Sequence, residues 1–488
     1  MTDSSIVTQL PLWTFPLNVH KTPQKQPDLH TLWQFPECLP AAIRESPTIN
    51  RCLDLLAPLD WAHLPERNLS RNWGQSTIPY AALIAAELIR LNEHLPSMTA
   101  LHRFLIEHAG FISLLGFPLA LEPATPLGFN ALTSLPSARH LTYLMRQLPQ
   151  AAAQFLLADS VRLILAELQT QPLLPIECIS LDTKHILAWV KENNPKAYVA
   201  DRYNKAKQPA GDPDCRLGCK RRHNRAVLPS TPTRPPRPAT MLKVGEYHWG
   251  YGSGLVAAKI PDYGEFVLAE MTQPFDHGDV TYFFPLMQQT EARLGYRPRY
   301  ATFDAAFDAW YVYAYFYREN EPDSGFAAVP FSEKGNYKAK QRQFASTGEP
   351  LCAAGLTMPL QFTYTDRTVS IVEHERGKYR CPIKAQSDRR RTCPVHHAQW
   401  SKGGCTAMMP ISIGARLRYT LDRDSERYKE IYRQRTACER INSQAVDLGI
   451  ERPHWRNGQA IANENTLIYL LINLRFLQRL RQRLHQPA

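Results

Sequence analysis

Three carboxylates in this 488-residue chain occupy positions that ordinary folding does not ask for. Asp182 lies inside the apolar, β-branched run ISLDTKHIL, and Asp304 directly follows a second short run, RYATF. Aspartate is a poor strand residue, so each position needs a reason. Hard carboxylates on adjacent strands repel unless a cation lies between them, and oxygen ligands of this kind suit Mg²⁺, with Mn²⁺ able to replace it. A third carboxylate is offered from a helix: in YRQRTACERINSQA, Tyr432, Arg435, Glu439 and Asn442 recur at three- and four-residue spacing along one stripe. Three carboxylates can hold two divalent ions about 3.5–4 Å apart, the arrangement that supports in-line displacement at phosphate. Taken alone, the Arg435–Glu439 spacing is equally that of a surface ion pair, worth about 0.3–0.5 kcal/mol.

The elements that must position these groups follow from periodicity. Residues 1–172 read as helical, with YAALIAAELIRLN, a break at HLPS, and Ser97 capping MTALHRFLIEHAG. The segment SARHLTYLMRQL, with Arg139, His140 and Arg146, is either a DNA-reading helix or the solvated face of a plain bundle. From Ile176 the period shortens to that of strands, and elements follow in the order β, β, β, α, β, α, β, an α/β core over 173–332. Within it, 205–241 is Pro-, Lys- and Arg-rich and reads as a basic arm without structure. Residues 333–424 look like a β-rich insertion with an antiparallel hairpin about TDRT. One long helix from Ser425, carrying Glu439, and a basic C-terminal helix complete 425–488.

Composition narrows the partners. Lys and Arg number 57 against 45 Asp and Glu, a net charge of +12, which favours a polyanion and nucleic acid first. The N-terminus shows no secretory signal, and the longest apolar run, LIYLLINL, falls far short of the roughly 20 residues of a membrane helix. A cytoplasmic location with no membrane partner is expected, and ten cysteines there are expected to be reduced or metal-bound.

The pattern Tyr432-x2-Arg435-x3-Glu439, together with SLDTKHI and ATFDAAFDAWYVY, resembles the YREK signature and the two aspartate motifs of DDE transposases of the insertion-sequence-4 family. The resemblance runs from about Ile176 to the C-terminus. It implies a ribonuclease-H-like mixed sheet with Asp182, Asp304 and Glu439 as the metal-holding triad, a β-rich insertion before the Glu helix, and an all-α N-terminal region that binds DNA ends. It further implies a bacterial, nucleoid-associated enzyme that acts as a homodimer on double-stranded DNA, cutting at terminal inverted repeats and joining the 3′-hydroxyl to target DNA. Tyr432, Arg435, Arg440 and Lys184 are the expected DNA contacts. The signature's lysine falls on Val446, with Arg440 or Gln444 as substitutes, and Asp308 competes with Asp304 for the second aspartate. A rival expectation is a decayed or domesticated transposase that binds DNA without cutting; a third is a nuclease of the same core that never joins ends.

Cysteine and histidine spacing adds a separate expectation. Cys381, Cys393, His396 and Cys405, with His397 adjacent, are enough for a structural zinc site, or are simply reduced residues of the insertion. Cys215, Cys219 and His223 form a weaker cluster lacking a fourth ligand, and Cys438 reads as a small packing residue.

Overall fold

The computed structural model describes residues 21–22, 28–69, 77–169, 176–221, 245–319, 324–332, 343–367, 371–386 and 392–484. The chain forms two compact units, 1–156 and 157–488.

The first unit is helical, as its periodicity predicts. Its principal helices are α1 (Pro47–Leu56), α2 (Tyr80–Asn92), α3 (Met98–Glu107), α4 (Ala138–Met145) and the start of α5 (Gln150–Gln169). Ser97 accepts the N–H of Ala100, so the expected cap forms, and Ser137 caps α4 in the same way by accepting the N–H of His140. Apolar residues surround α2 on all sides, and its buried Glu87 is held by Arg90 at 2.7 Å. On α4, Leu141, Leu144 and Met145 are buried while Arg139, His140 and Arg146 are exposed.

The second unit is built on a curled six-stranded mixed sheet. Its strands are β1 (Cys178–Leu187), β2 (Arg216–Arg221), β3 (Gly245–Ile260), β4 (Gly264–Pro274), β5 (Tyr300–Thr302) and β6 (Phe326–Ala328). β3 lies antiparallel to β1 along one edge, and along its other edge pairs first with β2 and then with β4. β5 runs parallel to β1, and β6 parallel to β5. One predicted feature is corrected here: residues 216–221 of the supposed unstructured arm form a strand, because the long β3 leaves an open edge for them. Residues 222–241 of that arm lie outside the described residues.

Helix α6 (Phe283–Leu294) covers one face of the sheet, with Tyr282 lying where a Cβ at Gly252 or Gly254 would be. The other face carries α9 to α11. The single long helix expected from Ser425 is two, α9 (Glu426–Arg433) and α10 (Thr436–Asp447), with hydrogen bonds of the tighter i→i+3 type from Gln434, Arg435 and Ala437 between them. The carbonyl of Arg435, the residue that caps α10, also accepts from Ser180 Oγ of β1, 3.3 Å away. Helix α7 (Trp310–Phe316) lies between β5 and β6; between β6 and α9 come an antiparallel sheet of β7 (Leu360–Asp366), β8 (His374–Arg380) and β9 (Thr406–Pro410), and α8 (Ile413–Thr420), which packs on α7.

Helix α11 (Gly458–Leu484) contains the run LIYLLINL, whose interrupting Asn473 is fully buried. Its side chain accepts from Val267 N at 2.7 Å and donates to Val267 O at 2.9 Å and Ser160 Oγ at 3.0 Å, beside the bulge where β4 slips against β3. Among the described residues no helix is long and apolar enough to cross a membrane. Asn473→Leu would leave both backbone groups of Val267 unsatisfied and is expected to cost about 3 kcal/mol, read as a lower urea midpoint. An unchanged midpoint would show that this amide does not secure the bulge.

Candidate active site

Asp182 sits within β1, opposite Leu255 of β3. The parallel register of β1 and β5 pairs Ser180 with Thr302, and two residues further on the same register brings Asp304 alongside Asp182. Asp304 leaves the strand there and caps the turn Ala305–Phe307 by accepting Ala306 N at 2.8 Å. The first turn of α10 supplies Glu439. That helix is seated by Cys438, fully buried, whose thiol lies 3.1 Å from the carbonyl of Ser180, so the packing role expected of it is what the geometry gives.

Arg435 donates to Glu439 Oε1 at 2.7 Å, and Asn442, one turn on, donates to Asp182 Oδ2 at 3.2 Å. The electrostatics join these side chains into one cluster. Burial, with repulsion from Asp304 and Asp279, pushes the Asp182 carboxyl up to about 6, while Arg435 and the Thr183 N–H pull the other way. Arg435 is half-buried, which alone would weaken its hold on a proton, yet Asp182, Tyr432, Glu439 and Asp304 together keep it more firmly charged than usual. Burial raises the Tyr432 phenol, against Arg435, and Asp304, Glu439 and Asp182 raise it further.

Asp308 is a different kind of residue. Its buried carboxylate takes Arg418 on both oxygens at 2.7 and 2.5 Å, the Tyr313 hydroxyl at 2.9 Å and Ser332 N at 2.8 Å. Burial works against its charge, but these donors outweigh it and hold the carboxyl below its ordinary range. A carboxylate with so many internal donors braces the loop after Asp304, and Asp304 remains the member of the cluster.

Two expected DNA contacts are engaged within the protein: Lys184 with Glu451 at 2.6 Å and Arg440 with Glu265 at 2.6 Å. Val446, at the position of the signature lysine, is exposed. Sequence reasoning missed Asp279, which accepts from Thr183 Oγ1 at 2.9 Å and presses on Asp182 electrostatically. Following Gly278 at the head of a helical segment, it looks like an ordinary first-turn acid, and only the fold brings it to β1.

No model of a known protein family matches this chain, and no curated protein matches it. The site therefore stands on its own chemistry. As the side chains are placed, no group of three or more His, Cys, Asp or Glu is gathered to hold an ion among the described residues, and Glu439 turns to Arg435. The donor set is chemically of the kind that fits Mg²⁺: hard carboxylate oxygens, with the ionisation of Asp182 hindered first by burial and then by Asp304 and Asp279, a penalty that a divalent cation would offset. Of the expected zinc ligands, Cys381 and Cys393 are buried, Cys405 half-buried and His396 exposed; in the weaker cluster Cys215 is buried, while His223 lies outside the described residues.

A carboxyl held near 6 against an ordinary value of 3.8 binds its proton more tightly folded than unfolded, so between about pH 4 and 6 it makes stability fall as pH rises. With EDTA present, Asp182→Asn is expected to gain on the order of 2 kcal/mol at neutral pH, the two stability curves converging below about pH 4. Denaturant titrations across that range measure it, and parallel curves would contradict the burial of a strained carboxylate.

Proposed function

We propose that this chain is a DDE-type DNA transposase similar to the insertion-sequence-4 family, which cuts the ends of its element and joins the freed 3′-hydroxyl to target DNA. The observation that carries this reading is the single cluster of Asp182, Asp304 and Glu439 about Arg435 and Tyr432, five residues from three distant stretches of sequence. Supporting it, β1, β5 and β6 run parallel while β3 is antiparallel between β1 and β4, an order compatible with a ribonuclease-H-like core. The three-stranded sheet β7–β8–β9 falls before the Glu helix, where the resemblance puts an insertion.

In this reading Asp182 and Asp304 hold Mg²⁺, or Mn²⁺ in its place, from the strands, and Glu439 holds it from α10. Bound there, the ions would lower the pKa of the attacking water or 3′-hydroxyl and neutralise the leaving oxygen. The chain's own residues do the rest. Asn442 fixes the orientation of the Asp182 carboxylate, the Asp308–Arg418 pair braces the segment behind Asp304, and Arg435 is placed to take a DNA phosphate once the carboxylates have another counter-charge. Terminal inverted repeats and target DNA are the substrates, a homodimer pairs the two ends, and the cytoplasmic nucleoid of a bacterium is the setting. The exposed Val446 favours one second reading, a decayed transposase that binds ends without cutting them.

Duplexes carrying the inverted repeats that flank the coding sequence, incubated with full-length protein and Mg²⁺, are expected to be nicked at the element boundary and then joined to a target. Asp182→Asn or Glu439→Gln should slow cleavage by at least about 10³-fold, about 4 kcal/mol of transition-state stabilisation. Retained cleavage in Asp182→Asn would sink the assigned triad. Binding without nicking in either Mg²⁺ or Mn²⁺ would leave the second reading, and cut products that never join would mark a nuclease.

A further inference from the structure

The lobe of β7, β8 and β9 has little to hold it together. Its buried cluster consists, among the described residues, of Cys352, Met358, Tyr379, Ala407, Met409 and Ala415, while Phe362, Tyr364 and Met408 of the same strands are exposed. A core this small rarely sustains a fold unaided, and small units of this kind are commonly secured by a disulfide or a metal. Four of the ten cysteines lie here, at 352, 381, 393 and 405.

Their placement is not that of scattered packing residues. β8 and β9 pair Arg380 with Thr406, so one residue further the antiparallel register sets Cys381 opposite Cys405. Gly404, at φ +86°, permits the approach: a Cβ there would lie 2.7 Å from Cys381 Cβ and 3.1 Å from its sulfur. Cys352 and Cys405 border the same cleft of about 440 Å³ as His397. The N–H of His397 donates to the sulfur of Cys393 at 3.5 Å, the kind of bond that stabilises a thiolate. Cys352, Cys381 and Cys393 each open a turn, their carbonyls accepting from Gly355, Ala385 and His396 at 2.9, 2.9 and 3.2 Å.

We propose that this lobe carries a structural zinc site made by Cys352, Cys381, Cys393 and Cys405. Cys352 replaces the exposed His396 because it is buried and borders the cleft that Cys405 also lines. As placed, the four sulfurs are not gathered into a tetrahedron, so ligation draws the turns inward, with each thiol giving up its proton to become a ligand. The site is structural, independent of the carboxylate cluster and of the function proposed for it.

Full-length protein purified without a chelating resin is expected to contain one zinc per chain by elemental mass spectrometry. Replacement by Co²⁺ should give the thiolate charge-transfer and ligand-field bands of a tetrahedral sulfur site. Cys352→Ser and Cys405→Ser should each lose most of the metal, whereas Cys38→Ser, at an exposed position in the first unit, should keep it. Should the lobe variants fail to fold, thiol titration of the wild-type chain decides: four additional thiols should become reactive on adding a zinc chelator. Folded wild-type protein that holds no zinc and takes up no Co²⁺, a Cys381–Cys405 disulfide in peptide mapping, or full metal content in Cys352→Ser would each overturn the proposal.

Discussion

Asp182 on β1 and Asp304 just past the end of β5 repel each other at a largely buried position, and Arg435 is the cation this chain sets beside them. Much of the surrounding architecture serves to keep it there. The α9–α10 break tightens the backbone at Arg435, the carbonyl of that residue is tied to Ser180 two positions before Asp182, and Cys438 packs against the same strand from the next turn. Helix and strand are therefore fastened on both sides of the ionic cluster. The cost shows in Asp182, whose carboxyl stays near 6 despite the arginine. An arrangement chosen for stability alone would not place a half-buried carboxylate against two others.

That cluster exists only in one strand register. A slip of one residue between β1 and its neighbours would turn Asp182 to the opposite face of the sheet. The alignment of β3, the partner of β1, and of β4 on α11 is fixed by polar contacts that apolar packing could not specify: Tyr469 with Ser253 at 3.2 Å, Asn465 with Thr272 at 2.8 Å, Thr466 with Glu270, and Asn473 with both backbone groups of Val267. Hydrogen bonds of fixed geometry allow one alignment where leucine against valine would tolerate several. The apolar run of α11 thus supplies burial, and its polar interruptions supply alignment.

The same distinction explains what could be read from the sequence. Strands β1, β3 and β4 announce themselves by apolar content, and Asp182 and Asp304 are conspicuous because aspartate is out of place there. Glu439 follows from helical spacing. What escaped depends on partners far along the chain. β2 is rich in Arg and Lys and forms because β3 extends past β4 and leaves that edge open. Asp279 reaches the site through Thr183, 96 residues away, and Asp308 is distinguished from Asp304 by Arg418, 110 residues downstream. No local pattern marks such pairings. The break between α9 and α10 was likewise hidden, since its residues suit a continuous helix and the i→i+3 bonds that mark it leave no local signature.

Under the proposed function, Arg435 answers the carboxylate charges that a divalent cation would otherwise answer. While it is bound to Glu439, that carboxylate is turned from the aspartates, and the three cannot converge on an ion. Under the proposed function, metal and arginine compete for the same charges, and the exchange is favourable only if the displaced guanidinium finds another anion. A DNA phosphate is such an anion and binds guanidinium through two parallel hydrogen bonds. Metal and DNA would then assist each other's binding through one side chain, and the chain without DNA would keep its carboxylates neutralised and unproductive. This coupling follows from charge alone, since each partner relieves what the other leaves uncompensated.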